Sequence, residues 1–376
     1  MASFTTYFCF QNLTPLYPVV AHDLAMNAGS LGALVGVASL ISVLFQLPLG
    51  LGSDRLGRRP FMIGGLLLLV VSQLLRARAE GPLEFGLAQA VAGVSLAATG
   101  LGTFAAVADA YPVGRGRAIG IMATSLNLGQ VAGYILSGAI GSEVGWRTIS
   151  LLTAILPALV VAAVVLMPEP PLAPRPAAAG QELRSAVAYL AKPSVLGYAL
   201  AGGLVLAVGQ GAAYLLPFAL HDRGLGPQAT SVLLIPYVVG SVIGAPVSGT
   251  LAERLGYRPL VIGWALVGAA VCLAYPFLHA STVATVVAYV LIGASVNSLL
   301  SMIAAQVVAA SGRVGEVGTA TALAGLRIGQ SLGPALGPAI AGQVFVRAGL
   351  LGGFAALGSS MLVGLAVHPG RRRPPG

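Results

Sequence analysis

Seven polar side chains stand inside long apolar stretches of this chain: Asn12, Gln89, Asn127, Gln210, Tyr214, Asn297 and Arg327. Amides, a phenol and a guanidinium in such surroundings can hydrogen-bond a passing solute or bridge two helices, and intramembrane polar residues are the first candidates for a substrate path. For each amide, bridging between helices is an equal reading. No acid accompanies them, because all 11 aspartates and glutamates, Asp23 and Asp109 included, fall at predicted helix ends or in loops. The raised-pKa carboxylate that usually carries a proton across a membrane is therefore missing. His22, His221, His279 and His368 fall near predicted helix ends or in the tail and read as surface residues, with no metal set among them. Cys9 and Cys272 lie within apolar runs and read as small inert side chains. No nucleophile, base and orienting group come together, and no strand-to-helix phosphate loop is present, so the chain reads as a non-enzyme without a cofactor.

The elements that must position these residues are helices in a bilayer. The chain has 376 residues, 57% hydrophobic and only 8% charged, with a mean hydropathy of +0.90, whereas a soluble domain carries about a quarter charged residues. Its 51 glycines and 24 prolines suit close packing of membrane helices. Apolar runs predict twelve transmembrane helices at 4–21, 31–51, 60–78, 83–108, 117–139, 147–167, 194–219, 229–250, 258–278, 281–309, 317–343 and 347–367. A proline-rich, charged stretch at 168–193 predicts a linker between an N-terminal six-helix bundle (1–167) and a C-terminal one (194–367), with a basic tail at 368–376. Loop cations set the topology: 14 Lys and Arg fall on the side of the linker and 5, Arg76, Arg78, Arg147, Arg223 and Arg347, on the other. Both termini are thus expected in the cytoplasm. The basic residues lie in loops and a tail rather than on a helix with stacking aromatics, which excludes nucleic acid as a partner. The first span begins almost inside the membrane without a basic lead or cleavage site, so a trimmed first helix is expected rather than a signal peptide.

The two halves repeat. Gly50–Pro60 (GLGSDRLGRRP) aligns with Gly249–Pro259 (GTLAERLGYRP) at an offset of 199, matching Asp54 with Glu253, Gly57 with Gly256, and Arg59 with Arg258. At an offset of 200, Ser125, Gly129, Gly133 and Ser137 match Gly325, Gly329, Gly333 and Gly337. Parallel duplicated halves are one of the plans on which secondary transporters are built. The first loop resembles the G-x-L-x-D-R-x-G-R-R signature of the major facilitator superfamily, and Gly120, Gly129 and Gly133 resemble the fifth-helix signature of its antiporter branches. Tyr134 stands where that signature has proline, whereas the eleventh helix has the Gly333–Pro334 pair, and Gln89 stands where the fourth helix often has arginine.

The resemblance implies an all-α fold of two pseudo-symmetric bundles in a bacterial inner membrane, working as a monomer on a small-molecule substrate by rocker-switch alternating access. It implies that Asp54, with Arg55, Gly57, Arg58 and Arg59, forms a cytoplasmic gate. Asp54 would cap the eleventh helix and Arg58 would pair with Asp109, while Glu253, Arg254 and Arg258 play the mirrored role near Arg115 and Arg117. Gly129, Gly133, Gly329, Gly333, Pro334 and Gly337 make narrow ridges for hinge or packing contacts, with Gly240, Gly244 and Ser248 of the eighth helix as a partner stripe. Efflux of drugs or metabolites, with protons as the coupling ion, is the leading expectation. Uptake or exchange of an organic anion or sugar read by Arg327 is the alternative, and a non-transporting sensor is the reading from another class.

Overall fold

A computed structural model describes residues 1–111, 115–166, 193–314 and 319–369. These are helices α1 (Ala2–Gln11), α2 (Tyr17–Asp23), α3 (Ala28–Leu56), α4 (Arg58–Arg78), α5 (Pro82–Ala110), α6 (Arg115–Thr153) and α7 (Ile155–Leu166). After the undescribed stretch come α8 (Pro193–His221), α9 (Pro227–Leu255), α10 (Tyr257–Leu278), α11 (Thr282–Val314) and α12 (Thr319–Val367). Among the described residues 9 helices are long and apolar enough to cross a membrane. Many of their apolar side chains face outward, among them Leu44, Leu128, Leu159 and Val283. That is the exterior a lipid solvent selects, since water would not tolerate so continuous an apolar surface.

Glycine decides where these helices end. Gly57 (φ 99°) separates α3 from α4, and Gly256 (φ 81°) separates α9 from α10. The two positions matched in the sequence repeat thus share a conformation that side chains disfavour. Gly145 (φ 78°) interrupts α6 and Gly349 (φ 65°) interrupts α12. The apolar stretches that contain them run 47 and 39 residues, where a crossing needs about 20. At the start of α3, Asn27 and Ser30 form a reciprocal cap: Ser30 N donates to Asn27 Oδ1 (2.8 Å) and Asn27 N to Ser30 Oγ (3.1 Å).

The first predicted span, 4–21, departs from expectation. It breaks after α1, passes through a 3-10 turn at Thr14–Leu16, and resumes as α2. Pro15 and Pro18 enter at the first turns of the two later pieces, where the missing N–H does no harm, while the preceding helix cannot run through them.

The chain divides into two compact units, Met1–Arg175 with Leu220–Ile235, and Pro176–Ala219 with Pro236–Gly376. In the first, α4 and α5 are joined by Ser95 Oγ to the Gly65 carbonyl (2.8 Å) and Ser72 Oγ to the Ala88 carbonyl (3.1 Å). The ends of α2 and α4 meet α6 just past its Gly145 interruption, at Trp146, whose Nε1 donates to Asp23 Oδ2 (2.9 Å), while Arg147 lies 4.4 Å over the indole and donates to the Ala79 carbonyl. In the second unit Tyr275 packs on Tyr289 and Phe354, and Tyr289 Oη donates to the Ala212 carbonyl (2.8 Å). The expected linker at 168–193 lies outside the described residues apart from Pro193, as does the tail beyond Pro369.

The glycine ridges pack inside each unit. Gly129 and Gly133 of α6 lie against the Phe4 and Phe8 carbonyls of α1, and Gly329, Gly333 and Gly337 of α12 lie against Ala199, Gly203 and Ala207 of α8. The α9 stripe was expected to face them; instead Gly240 and Gly244 press on Val290 and Ala294 of α11, and Ser248 Oγ donates to Ser298 Oγ (2.7 Å). Small residues let these backbones meet directly. A Cβ at Gly133 would lie 2.8 Å from the Phe8 oxygen, whereas one at Gly64 would meet nothing within 4 Å. Gly133→Leu should therefore destabilise the purified protein by about 1–3 kcal/mol through overpacking, and Gly64→Leu should not; thermal unfolding in detergent would read the difference.

Candidate functional site

The polar residues of the first unit converge where the first span breaks. Thr153, at the end of α6, is their hub: its Oγ1 accepts from Asn12 Nδ2 (2.8 Å) and Gln73 Nε2 (2.6 Å) and donates back to the Ile149 carbonyl (2.8 Å). Gln73 turns its other end to Arg76, with Oε1 accepting from Nη1 at 2.9 Å. Arg76 Nη1 also donates to the Cys9 carbonyl (3.1 Å), and Nε (3.0 Å) and Nη2 both donate to Gln89 Oε1. Ser137 Oγ donates to the Asn12 carbonyl, and the Cys9 thiol to the Thr153 carbonyl. Five elements, α1, α4, α5, α6 and the break itself, are tied by one buried network.

The local reasons are legible. A helix leaves its last carbonyls without intrahelical partners, and α1 ends inside the bundle, so Cys9 and Asn12 carbonyls need outside donors. Arg76 sits in the last turn of α4 with Arg78, but Cα–Cβ bonds tilt toward a helix N-terminus. The Arg76 side chain runs that way, back toward Gln73 one turn earlier, and is 2% exposed, whereas Arg78 is exposed. Its count among the outer-side loop cations is thus corrected: it lies within the helix expected at 60–78, and its guanidinium is inside the unit. Gln89 and Asn12, 3% and 0% exposed, both belong to this network. The Asn12 Oδ1 atom has no hydrogen-bond partner among the described residues.

Elsewhere the expected residues are scattered. Asn127, Gln210 and Asn297 are half-buried on α6, α8 and α11. Tyr214 is buried on α8 with its ring 5.4 Å from Phe218. Tyr134 is buried and its hydroxyl accepts from Gln130 Nε2 (2.7 Å). Among the loop residues, Arg58 is buried and donates to Ser53 Oγ (3.2 Å), and Arg59 is half-buried; Glu253, Arg254 and Arg258 are exposed. The side chains of Asp54, Arg55, Asp109, Arg115 and Arg327 lie outside the described residues. The six acids whose side chains are described stand at or near helix ends (Asp23, Glu80, Glu84, Asp222 and Glu253) or beside the Gly145 interruption of α6 (Glu143).

His368 is not a surface residue. It is 5% exposed, packs edge-on against Tyr198 (5.2 Å) and borders a small cavity with Val205, Leu299, Ile303 and Met361. Burial lowers its pKa from the ordinary histidine range and favours the neutral ring. Cys9 and Cys272 are both buried and free.

Removing the hub tests the network. Thr153→Val keeps the shape but strands two buried amide donors, at about 1–3 kcal/mol each. It should lower the thermal midpoint in detergent by several degrees, while Thr153→Ser should nearly preserve it.

The sequence profile of the Major Facilitator Superfamily matches residues 1–236 and 198–376. The chain is 28% identical over 272 residues to a chloramphenicol resistance protein of Streptomyces lividans, covering 67% of each. It is 24% identical to a probable 4-methylmuconolactone transporter of Cupriavidus pinatubonensis, over 77% of this chain and 69% of that one. Against the inner membrane transport protein YdhP of Escherichia coli it is also 24% identical, over 94% and 88%. Its fold is similar to that of the nucleoside transporter NupG (TM-score 0.79, 14% identity, 99% and 98% covered). A bacterial homologue of the lysosomal transporter Spinster gives a TM-score of 0.77 at 16% identity, with 98% and 92% covered. This chain belongs to the Major Facilitator Superfamily and is a multi-pass membrane transporter, not an enzyme.

Proposed function

We propose that this protein is a secondary active exporter of small, largely apolar organic molecules. Its twelve spans work by rocker-switch alternating access, with both termini in the cytoplasm and protons as the counter-ion. The observation that carries this reading is the match to the superfamily along both halves together with likeness to a drug-resistance protein and a lactone transporter. The apolar character of the spans supports it, because the buried network of the first unit is made of amides, hydroxyls and the Arg76 guanidinium.

The matched loops supply the gate. Asp54 caps the N-terminal end of the eleventh span when the cytoplasmic side is shut, where a helix end favours negative charge, and Arg55, Arg58 and Asp109 complete the latch. Glu253, Arg254 and Arg258 act in the same way in the second half. Exposed ion pairs contribute only about 0–1 kcal/mol each, which suits a gate whose two states must lie close in energy. The close backbone contacts at Gly129, Gly133, Gly329, Gly333 and Gly337 keep each bundle rigid as it rocks, with Pro334 beside them. Asn12, Gln89, Asn127, Gln210, Tyr214, Asn297 and Arg327 furnish the polar points of the path.

Reconstituted in proteoliposomes, the protein should move chloramphenicol faster than empty vesicles do, and faster still under a pH gradient. Asp54→Asn should fold normally and lose most of that flux. No transport above background from a panel of neutral and charged organic compounds would overturn the reading, and full flux in Asp54→Asn would remove the gate.

A further inference from the structure

We propose that the transported molecules are neutral or anionic and that organic cations are excluded, because the first unit holds a fixed, unbalanced positive charge at the break of its first span. The inference rests on the transporter reading above and names the substrate class within it. A guanidinium keeps its charge in any protein setting. Arg76 is 2% exposed, and its acceptors are Gln73 Oε1, Gln89 Oε1 and the Cys9 carbonyl, all of them neutral. Among the described residues no carboxylate bonds to it; Asp23, at the end of α2, is engaged with Trp146 and Arg147 instead.

One compensating source is present. The Cys9 carbonyl belongs to the C-terminal turn of α1, and a helix end carries about half an elementary negative charge. About half of the guanidinium charge is left over even so. A second cation roughly 10 Å from that remaining charge would be disfavoured about fourfold at an effective dielectric near 20. The same field favours an anion or the acceptor-rich end of a neutral molecule. Asn12 Oδ1, buried at 0% exposure with no partner among the described residues, adds an acceptor for a hydroxyl or amide N–H, which points to neutral donors beside the positive charge.

A bridge between helices would not require the charge. Arg76 stands in the last turn of α4, within reach of the bundle end that Arg78 occupies, and a long cationic side chain near a helix end ordinarily extends toward water. Here it is turned inward against that tendency, at a site where burying a cation is costly. Gln89→Glu gives the test its edge: the acceptor position is retained, the contact becomes a bidentate ion pair, and the charge is cancelled.

The experiment measures flux of chloramphenicol (neutral), 4-hydroxybenzoate (anionic) and ethidium (cationic) in proteoliposomes bearing the full chain. The wild type should move one of the first two about fourfold faster than ethidium, or more. Arg76→Gln and Gln89→Glu should each shift that ratio toward ethidium by about fourfold, and Arg76→Lys should keep it. Equal or faster ethidium flux in the wild type, or an unchanged ratio in both neutralising variants, overturns the inference. If no probe moves, the transport reading fails by itself, and thermal shift of purified protein with the same three probes decides the charge question. Stabilisation by chloramphenicol or 4-hydroxybenzoate supports the proposal; stabilisation by ethidium, or by none of them, contradicts it.

Discussion

A bilayer core offers no water, so every polar group inside it must find its partner within the protein. That constraint organises the first unit. Breaking the first span at Pro15 leaves carbonyls of α1 without helical partners, and the chain answers from other helices: Arg76 from α4 to the Cys9 oxygen and Ser137 from α6 to the Asn12 oxygen. Those donors bring their own needs, which Gln73, Gln89 and Thr153 meet. A local irregularity in one helix is therefore bound up with the placement of three others.

The second constraint is that apolar side chains gain nothing by leaving lipid for protein, so helices must adhere by close contact. Glycine supplies that contact on both sides of the duplication, with α6 against α1 in one unit and α12 against α8 in the other. The paired loop glycines, Gly57 and Gly256, share the positive φ that lets two long helices follow one another with the glycine alone between them. Among the described residues the Arg76 network belongs to the first half. The position aligned with Arg76 by an offset of 199 is Tyr275, which sits in an aromatic cluster. The duplicated plan thus fixes packing in both units while the residues at matched positions differ in chemistry.

Much of this was legible beforehand. Helix positions followed from hydropathy because the lipid solvent enforces long apolar runs, and the repeat followed from glycines that both halves need for the same backbone reason. Gln89 and Asn12 were identifiable because amides in apolar helices are costly unless bonded. Arg76 was misread because it stands two residues from the end of α4, and sequence alone does not say whether a terminal arginine extends outward or folds back. Its partners stand 13 and 67 residues away at Gln89 and Cys9, beyond any local pattern. The break in the first span had a signal, Pro15 and Pro18, that hydropathy averaging concealed. The partner of the α9 stripe was missed because a small-residue ridge marks a close approach without naming what approaches. His368 looked like a tail residue until Tyr198 was seen against it.

Arg76 and Gln89 hold one another inside the first unit, and a double-mutant cycle on Arg76→Met and Gln89→Leu, read by thermal unfolding in detergent, measures that coupling. The account predicts that each single change destabilises and that the double variant is little worse than the worse single, a coupling of about 1–3 kcal/mol for a charged hydrogen bond. Additive losses, with a coupling near zero, would contradict it.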